Sequence, residues 1–424
     1  MTRAAEYDVL IAGAGVGGAA LALALASRYP LRVLAVDRRS GPGNINRGDS
    51  LLPAVTQHLH GWGALPAIRA AGARPVRKMQ VHHHRAGLLF EAPLTGPESD
   101  LERAPYLVLP HPEIERVLVE SAAAASPGQA EVRYGCRISG LLREHGSERG
   151  RVIGAVLSQG GSEVPVQARL VVGADGASST VRSLLGLGIV HEPYDHGFYI
   201  IEVERPASYE DAMRLELHPD GGILVVPQGE DRVGLGVLVR SADQDLFRAG
   251  PLEAKLAAIG RRSQLLEGQR PFPKGAHLYA LHRGHAPRYL AAGAALMGDA
   301  IHVTNPTAGQ GMTMAIEDAA ALARHLGPAL ADGFGGAALD GPLRAYEQER
   351  WPRNDAQIRW SHWMSRFYAL PGALGDSVHR RIFSLGASPL GQLIQRQLWA
   401  RMATRRAPAP SSAATPPASL WRTA

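Results

Sequence analysis

The chain is poor in the residues that mark several protein classes. Of its 424 residues one is cysteine, Cys136, so no disulfide forms within the chain and nothing points to an oxidising compartment. The lone thiol reads as a buried apolar filler. Lysine is almost absent: Lys78, Lys255 and Lys274 are the only three. Basic charge therefore rests on arginine, and 45 basic against 39 acidic residues leave +6. No dense basic block is present, so the arginines read as a solvated surface and not as a nucleic-acid footprint, while a modest basic excess suits anionic cofactors. No apolar run approaches the roughly 20 residues that cross a bilayer. The most apolar stretch, Ala19–Ala26, is soon followed by Arg28. No secretory signal precedes the first strand, so the expected setting is the cytoplasm. Internal repeats are absent. The length exceeds one ordinary α/β core and suffices for two lobes.

What is present starts with glycine. Gly13-Ala14-Gly15-Val16-Gly17-Gly18 follows an apolar run, Tyr7–Ala12, that reads as a buried strand, and precedes Ala19–Ala26, which reads as a helix. Strand, glycine turn and helix is the context of a dinucleotide fingerprint. Gly13 permits the turn, Gly15 lets a pyrophosphate approach the backbone, and Gly18 brings helix and strand together. The helix start offers N–H groups and a positive dipole end. A second apolar run, Arg32–Val36, ends in Asp37, about 20 residues after the fingerprint, where an acid accepts bonds from a ribose diol.

Two further aspartates stand at the ends of expected strands. Val164–Val172 leads into Gly173-Ala174-Asp175-Gly176, with Ser179 and Arg182 close behind. Ala294–Met297 leads into Gly298-Asp299-Ala300-Ile301-His302, and the loop through Pro306, Gly309, Gln310 and Gly311 feeds a helix expected over Met312–His325. Aspartates so placed accept bonds from sugar-type hydroxyls, and the second helix start stabilises negative charge on a bound ring. An extended ligand touching all three loops has an ADP half, a polyol and a charge-accepting ring, which is the layout of FAD.

Elsewhere, short strands dominate 196–240, with Phe198–Val203, Met213–Leu217, Gly222–Pro227 and Val233–Val239 expected. Residues 76–90 suggest two strands, with His82-His83-His84-Arg85 near their turn. The three histidines invite a metal reading, but neighbours on a strand face opposite ways, and zinc ligands converge from several places, so no metal is expected. Trp360, Trp363, Met364, Phe367 and Tyr368 recur at helical spacing and read as packing. Leu390–Met402 is mildly amphipathic: a helix packed on the protein is the plainer reading, weak peripheral membrane contact the other. Residues 403–424, rich in Pro, Ala, Ser and Thr, are expected to be disordered.

With these three motifs the chain resembles the single-component (group A) FAD-dependent monooxygenases of the para-hydroxybenzoate hydroxylase type, over about residues 6–350. The resemblance implies a mixed α/β fold: a Rossmann-like FAD-binding domain from 1–75, 111–182 and 276–340, an inserted, mostly antiparallel β-sheet substrate domain from 76–110 and 183–275, a helical region over 341–402, and the tail. It implies FAD held by Gly13, Gly15, Val16, Gly17, Gly18, Asp37, Arg38, Arg47, His111, Asp175, Gly176, Asp299, Pro306, Gly309, Gln310, Gly311 and Met312. Arg47 sits in the family's Arg-x-x-x-Leu pattern with Leu51. His111 stands where the family usually has Arg or Gln, a departure that weakens the expected grip on FAD. NAD(P)H would act as a transient co-substrate, since no second fingerprint is apparent, and O₂ would add to the flavin C4a to give a hydroperoxide that hydroxylates an aromatic or natural-product small molecule. Epoxidation of an isoprenoid or polyene, or reduction on the same fold, are the alternatives. A pocket lined by Phe198, Ile200, Met213, Leu215, Leu224 and Val226 is expected. No residue declares itself as catalytic base; His84, Tyr199, Arg214 and His302 are the candidates, each with a structural role as the plainer reading.

Overall fold

A computed structural model describes residues 6–43, 50–94, 102–148, 150–306 and 309–386, with 388, 391 and 393. Arg47, most of Leu390–Met402 and the tail from 403 lie outside these residues.

Two eight-stranded sheets carry the fold. The first runs, in spatial order, Leu290–Ala291, Ala294–Leu296, Ser162–Gly173, Tyr7–Ala12, Arg32–Asp37 and Gln129–Tyr134, with Cys136–Arg143 and Val152–Gln159 folded back as antiparallel neighbours. Its five strands from Ala294–Leu296 to Gln129–Tyr134 are parallel. A parallel sheet is covered on both faces, which is why Val9–Ala12 and Val33–Val36 are unbroken apolar runs. The fingerprint helix, Val16–Ala26, is buried almost all round. It lies between this sheet and helices His111–Ala123 and Gly311–Ala331, and small residues let the last of these come close: a Cβ on Gly17 would stand 3.2 Å from that of Ala315.

Register decides where the motifs meet. Ala12 pairs with Gly173 on one side and Val36 on the other, and Gly173 pairs with Leu296. The fingerprint, the Gly173–Gly176 loop, the Gly298–His302 loop and Asp37 therefore leave from one edge of the sheet, at the carboxyl ends of four adjacent strands, where ligands of open α/β sheets bind.

The second sheet orders His302–Val303, Pro271–His285, His191–Glu204, Arg232–Val239, Ile223–Pro227, Met213–Leu217, Lys78–His83 and Gly87–Pro93. All pairs are antiparallel except Met213–Leu217 with Lys78–His83. The strand Pro271–His285 pairs with His191–Glu204 along much of its length. Residues 276–285 thus build the second sheet, and the division expected at 275/276 falls inside this strand, where its pairing shifts register between Phe272 and His277.

The helix feeding from the third motif runs Gly311–Ala331, past the expected end at His325 and through Pro328. Asp340–Tyr368 follows as one helix of 29 residues, then Gly372–Gly386. No helix among the described residues is long and apolar enough to cross a membrane. Cys136 is buried, and burial pushes its thiol pKa up, as expected of a filler.

Candidate active site

The fingerprint glycines have separable reasons. Gly13 adopts φ +96°, and a Cβ there would stand 2.3 Å from the carbonyl oxygen of Ala174. A Cβ on Gly18 would fall 1.9 Å from the oxygen of Gly13. Gly15 is different: its nearest neighbour, the Arg39 guanidinium, is 3.9 Å away. Two glycines are thus demanded by the protein's own packing, and one leaves a space above the turn. The helix that starts there has no side-chain cap, and neither has the helix starting at Gly311. Two helix N-termini lacking side-chain caps, at one sheet edge, suit an anionic ligand. Gly176 and Gly309 also have positive φ and nothing within 4 Å of a Cβ.

The aspartates divide. Asp299 lies exposed between buried Gly298 and Ala300, at the mouth of this edge. Asp175 is bonded within its own loop: one oxygen accepts from the Ser179 hydroxyl, the other from the backbone N–H groups of Thr180 at 2.7 Å and Val181 at 3.1 Å. It caps the short helix Thr180–Leu184. A sugar hydroxyl at Asp175 would therefore share the carboxylate with these three donors. Ser179 adds a cap by accepting from the Arg182 N–H, and the Arg182 guanidinium donates to Ala177 O and Ala300 O, joining the second loop to the third.

Asp37 is also engaged. Its oxygens accept from Ala14 N at 2.9 Å and from the backbone N, Nε and Nη2 of Arg39. Burial alone would raise its pKa, but these bonds outweigh it and hold the carboxyl below the usual range. Arg39 also pairs with Glu115 on helix His111–Ala123. Arg38, the expected contact, is exposed, and its neighbour Arg39 is the arginine bonded to Asp37. His111 begins that helix, half-buried, and Met312 packs against the core just inside the other helix.

None of the four base candidates stands free in a pocket. His302 is fully buried, and its Nε2 donates to Asp318 at 2.7 Å. Asp318 also accepts from Gly298 N, Arg350 Nε and Asn354 Nδ2. Burial opposes its charge, yet His302 and Arg350 overcome that and hold it ionised. This buried network fixes the backbone of the third loop. Tyr199 packs under Phe247, and Arg214 pairs with Glu216, both on the sheet face turned away from the six expected pocket residues. His84 joins His83 at Asp376, on helix Gly372–Gly386.

That last contact corrects an argument. His83 ends its strand, so alternation ends with it, and His83 Nε2 and His84 Nδ1 lie 2.9 and 3.4 Å from one oxygen of Asp376. The trio has the spacing of metal ligands. Yet His83 Nδ1 accepts the backbone N–H groups of Arg85 and Ala86. Nε2 is thus the His83 nitrogen turned toward the carboxylate.

The six expected pocket residues share one face of the second sheet. Val81, Leu215, Leu224, Gly236 and Ile200 are successive cross-strand partners. Met213 pairs with Met79, Val226 with Gly234, and Phe198 with Leu238, on the same side. Met213, Leu215, Val226, Leu238, Met364, Tyr368 and Phe383 form one apolar cluster, with Trp360 packed against it.

A Rossmann-type sheet whose carboxyl edge gathers a glycine turn, an exposed aspartate and two helix starts, joined to an antiparallel sheet with an apolar face, has the architecture of a dinucleotide-dependent enzyme. The profile of the FAD-binding-domain family matches residues 6–361, and the chain belongs to that family. It is 30% identical over 344 residues to the 6-methylpretetramide 4-monooxygenase of Streptomyces rimosus, covering 78% of this chain and 76% of that one. It is 28% identical over 369 residues to the phenazine 1,6-dicarboxylic acid hydroxylase PhzS of Lysobacter antibioticus, covering 77% and 84%. Among solved structures it resembles pqsL, a probable FAD-dependent monooxygenase from Pseudomonas aeruginosa, with a TM-score of 0.73 and 28% identity over 86% of this chain and 96% of that one. The chain is an FAD-dependent monooxygenase with NAD(P)H as its co-substrate.

Proposed function

We propose that this enzyme hydroxylates a planar aromatic small molecule held between FAD and the apolar face of the second sheet. One observation carries the placement. On that face and the helices over it, Met213, Leu215, Val226, Met364 and Tyr368 keep 7–9% of their surface exposed, whereas Ile223, Val225, Leu235 and Val237, on the same strands' other face, keep 0–1%. The face of Val225 and Val237 packs against helices Gln244–Ala249 and Leu252–Gly260; the other, apolar across Phe198, Leu215, Leu224 and Val226, still touches solvent.

When bound, FAD takes reducing equivalents from NAD(P)H and activates O₂ for transfer to carbon. The chain's part is to bind and orient. The helix start at Gly15 and Val16 receives the pyrophosphate, Asp299 accepts hydroxyls of the ribityl chain, and the segment through Pro306 and Gly309–Met312 borders the ring, its helix dipole favouring negative charge there. The four acceptor sites of Asp37 already have protein donors, three of them on Arg39, so a ribose hydroxyl reaches it by displacing one of these. The two sheets exclude water from the substrate between them.

The test is an absorbance spectrum of the purified protein, then NADPH and NADH oxidation with phenols, quinolones and polyenes. Flavin bands and oxidation that needs both a phenol or quinolone and oxygen are the expected result. Stimulation by polyenes alone, or no flavin after reconstitution, refutes the reading. Asp299→Ala should lower FAD retention by about tenfold, the scale of a lost charge-assisted hydrogen bond; unchanged retention removes the ribityl assignment.

A further inference from the structure

We propose that Tyr368 is the polar anchor of the substrate, its hydroxyl hydrogen-bonding an oxygen carried by an aromatic ring. This rests on the reading above that the open face of the second sheet is the substrate wall. Tyr368 is the last residue of the long helix and belongs to the cluster of Met213, Leu215, Leu238 and Met364 on that wall. Three other hydroxyls lie on the same helix, and all three have partners. Tyr346 donates to Leu296 O, Ser361 to Asn305 O, and Ser365 is bonded to Asn305 Nδ2 and His196 Nε2. Tyr368 has no hydrogen bond among the described residues, and burial is the one influence on its ionisation, pushing its pKa well up.

The hydroxyl has no partner within the fold to lose, and phenylalanine would fill the same space. The group is nonetheless positioned firmly. Its ring lies edge-on to Phe367 at 5.3 Å and 6.3 Å from His379, and His379 is bonded to Phe367 O. A fixed donor, still in touch with solvent, facing a wall of methionine and leucine, suits a ligand that is flat and apolar with one oxygen at its edge. Phenols and ring ketones have that chemistry. The hydroxyl donates to a ketone or phenolate oxygen and accepts from a phenol.

The experiment uses the FAD-loaded enzyme and two probes of nearly equal area, 1-naphthol and naphthalene. Binding is read by quenching of tryptophan fluorescence, since Trp360 packs against this cluster. Tyr368→Phe should bind 1-naphthol about 3- to 10-fold more weakly than the parent enzyme does, the range of one neutral hydrogen bond. Its affinity for naphthalene and its FAD content should not change, and its melting temperature should hold or rise. Equal weakening for both probes, or none for 1-naphthol, overturns the proposal. So does a melting temperature lowered by several degrees, because the hydroxyl would then have a partner inside the fold. If neither probe quenches the parent enzyme, the substrate-wall reading falls as well; if both do and the variant matches the parent, that reading stands and only the role of Tyr368 is lost.

Discussion

The two faces of the second sheet are built from the same strands and differ in how they are covered. Both are apolar through the middle. One is closed by short helices until Val225 and Val237 touch no solvent; the other lies under a long helix that leaves Met213, Leu215 and Val226 grazed by water. A core closes because closure lowers free energy. A wall that stays partly open, with apolar residues and an unpartnered hydroxyl on it, gives up that stabilisation, and binding sites are where proteins do so.

The sharpest way to break this comparison is one truncation made on each face. Leu235→Ala, on the closed side, should cost about 2–5 kcal/mol of unfolding free energy in urea titration, as cavities in packed cores do. Leu215→Ala, on the open side, should cost about half as much and instead shift KM for the stimulating substrate. Equal losses of stability with no change in KM would mean that both faces are core. Gly236 sharpens the contrast, because a Cβ there would meet the Phe198 ring at 2.5 Å on the open side. Gly236→Ala should turn Phe198 into the substrate space and lower turnover of the larger substrates by about tenfold at a stability cost of about 1–3 kcal/mol, with FAD retained. A variant with unaltered substrate preference would remove Phe198 from the wall. The smallest effect concerns His82, which faces the closed side with Glu216 as its cross-strand partner. Burial, then the charge of Arg214, lowers its pKa to about 4. The unfolded chain binds this proton near pH 6.5, so between these values the unfolded state holds more protons and stability falls as pH falls. His82→Gln should flatten that slope; the half-exposed ring limits the gain to about 1 kcal/mol or less. An unchanged slope would assign the acid sensitivity elsewhere.

The cofactor edge was legible because it is local. Strand, turn and helix are written within thirty residues, and a glycine whose Cβ would strike a carbonyl is a short-range fact. The use made of each carboxylate was not legible. Asp37 and Asp175 stand where ligand acceptors stand, yet Arg39 and the Thr180–Leu184 helix engage them, and only coordinates distinguish a cap from a vacancy. The face that each strand presents was equally hidden: Arg214 and Leu215 are both plausible wall residues until register sends them to opposite sides. Longer-range links, such as Arg350 and Asn354 reaching Asp318, carry no sequence signature. The histidine run shows the converse error, since a correct rule about strands was applied one residue beyond the strand's end.

The helix Asp340–Tyr368 is about 40 Å long at 1.5 Å per residue. It holds the third loop through Arg350 and Asn354, grips Asn305 through Ser361 and Ser365, and finishes in the wall with Met364 and Tyr368. Its 3.6-residue pitch sets the distance between cofactor loop and substrate wall as a crossbeam sets the distance between two posts. Grafting the second sheet of a relative onto this chain, to exchange one substrate for another, would mismatch that spacing unless the helix travels with the sheet. The transferable unit for engineering is therefore sheet plus helix.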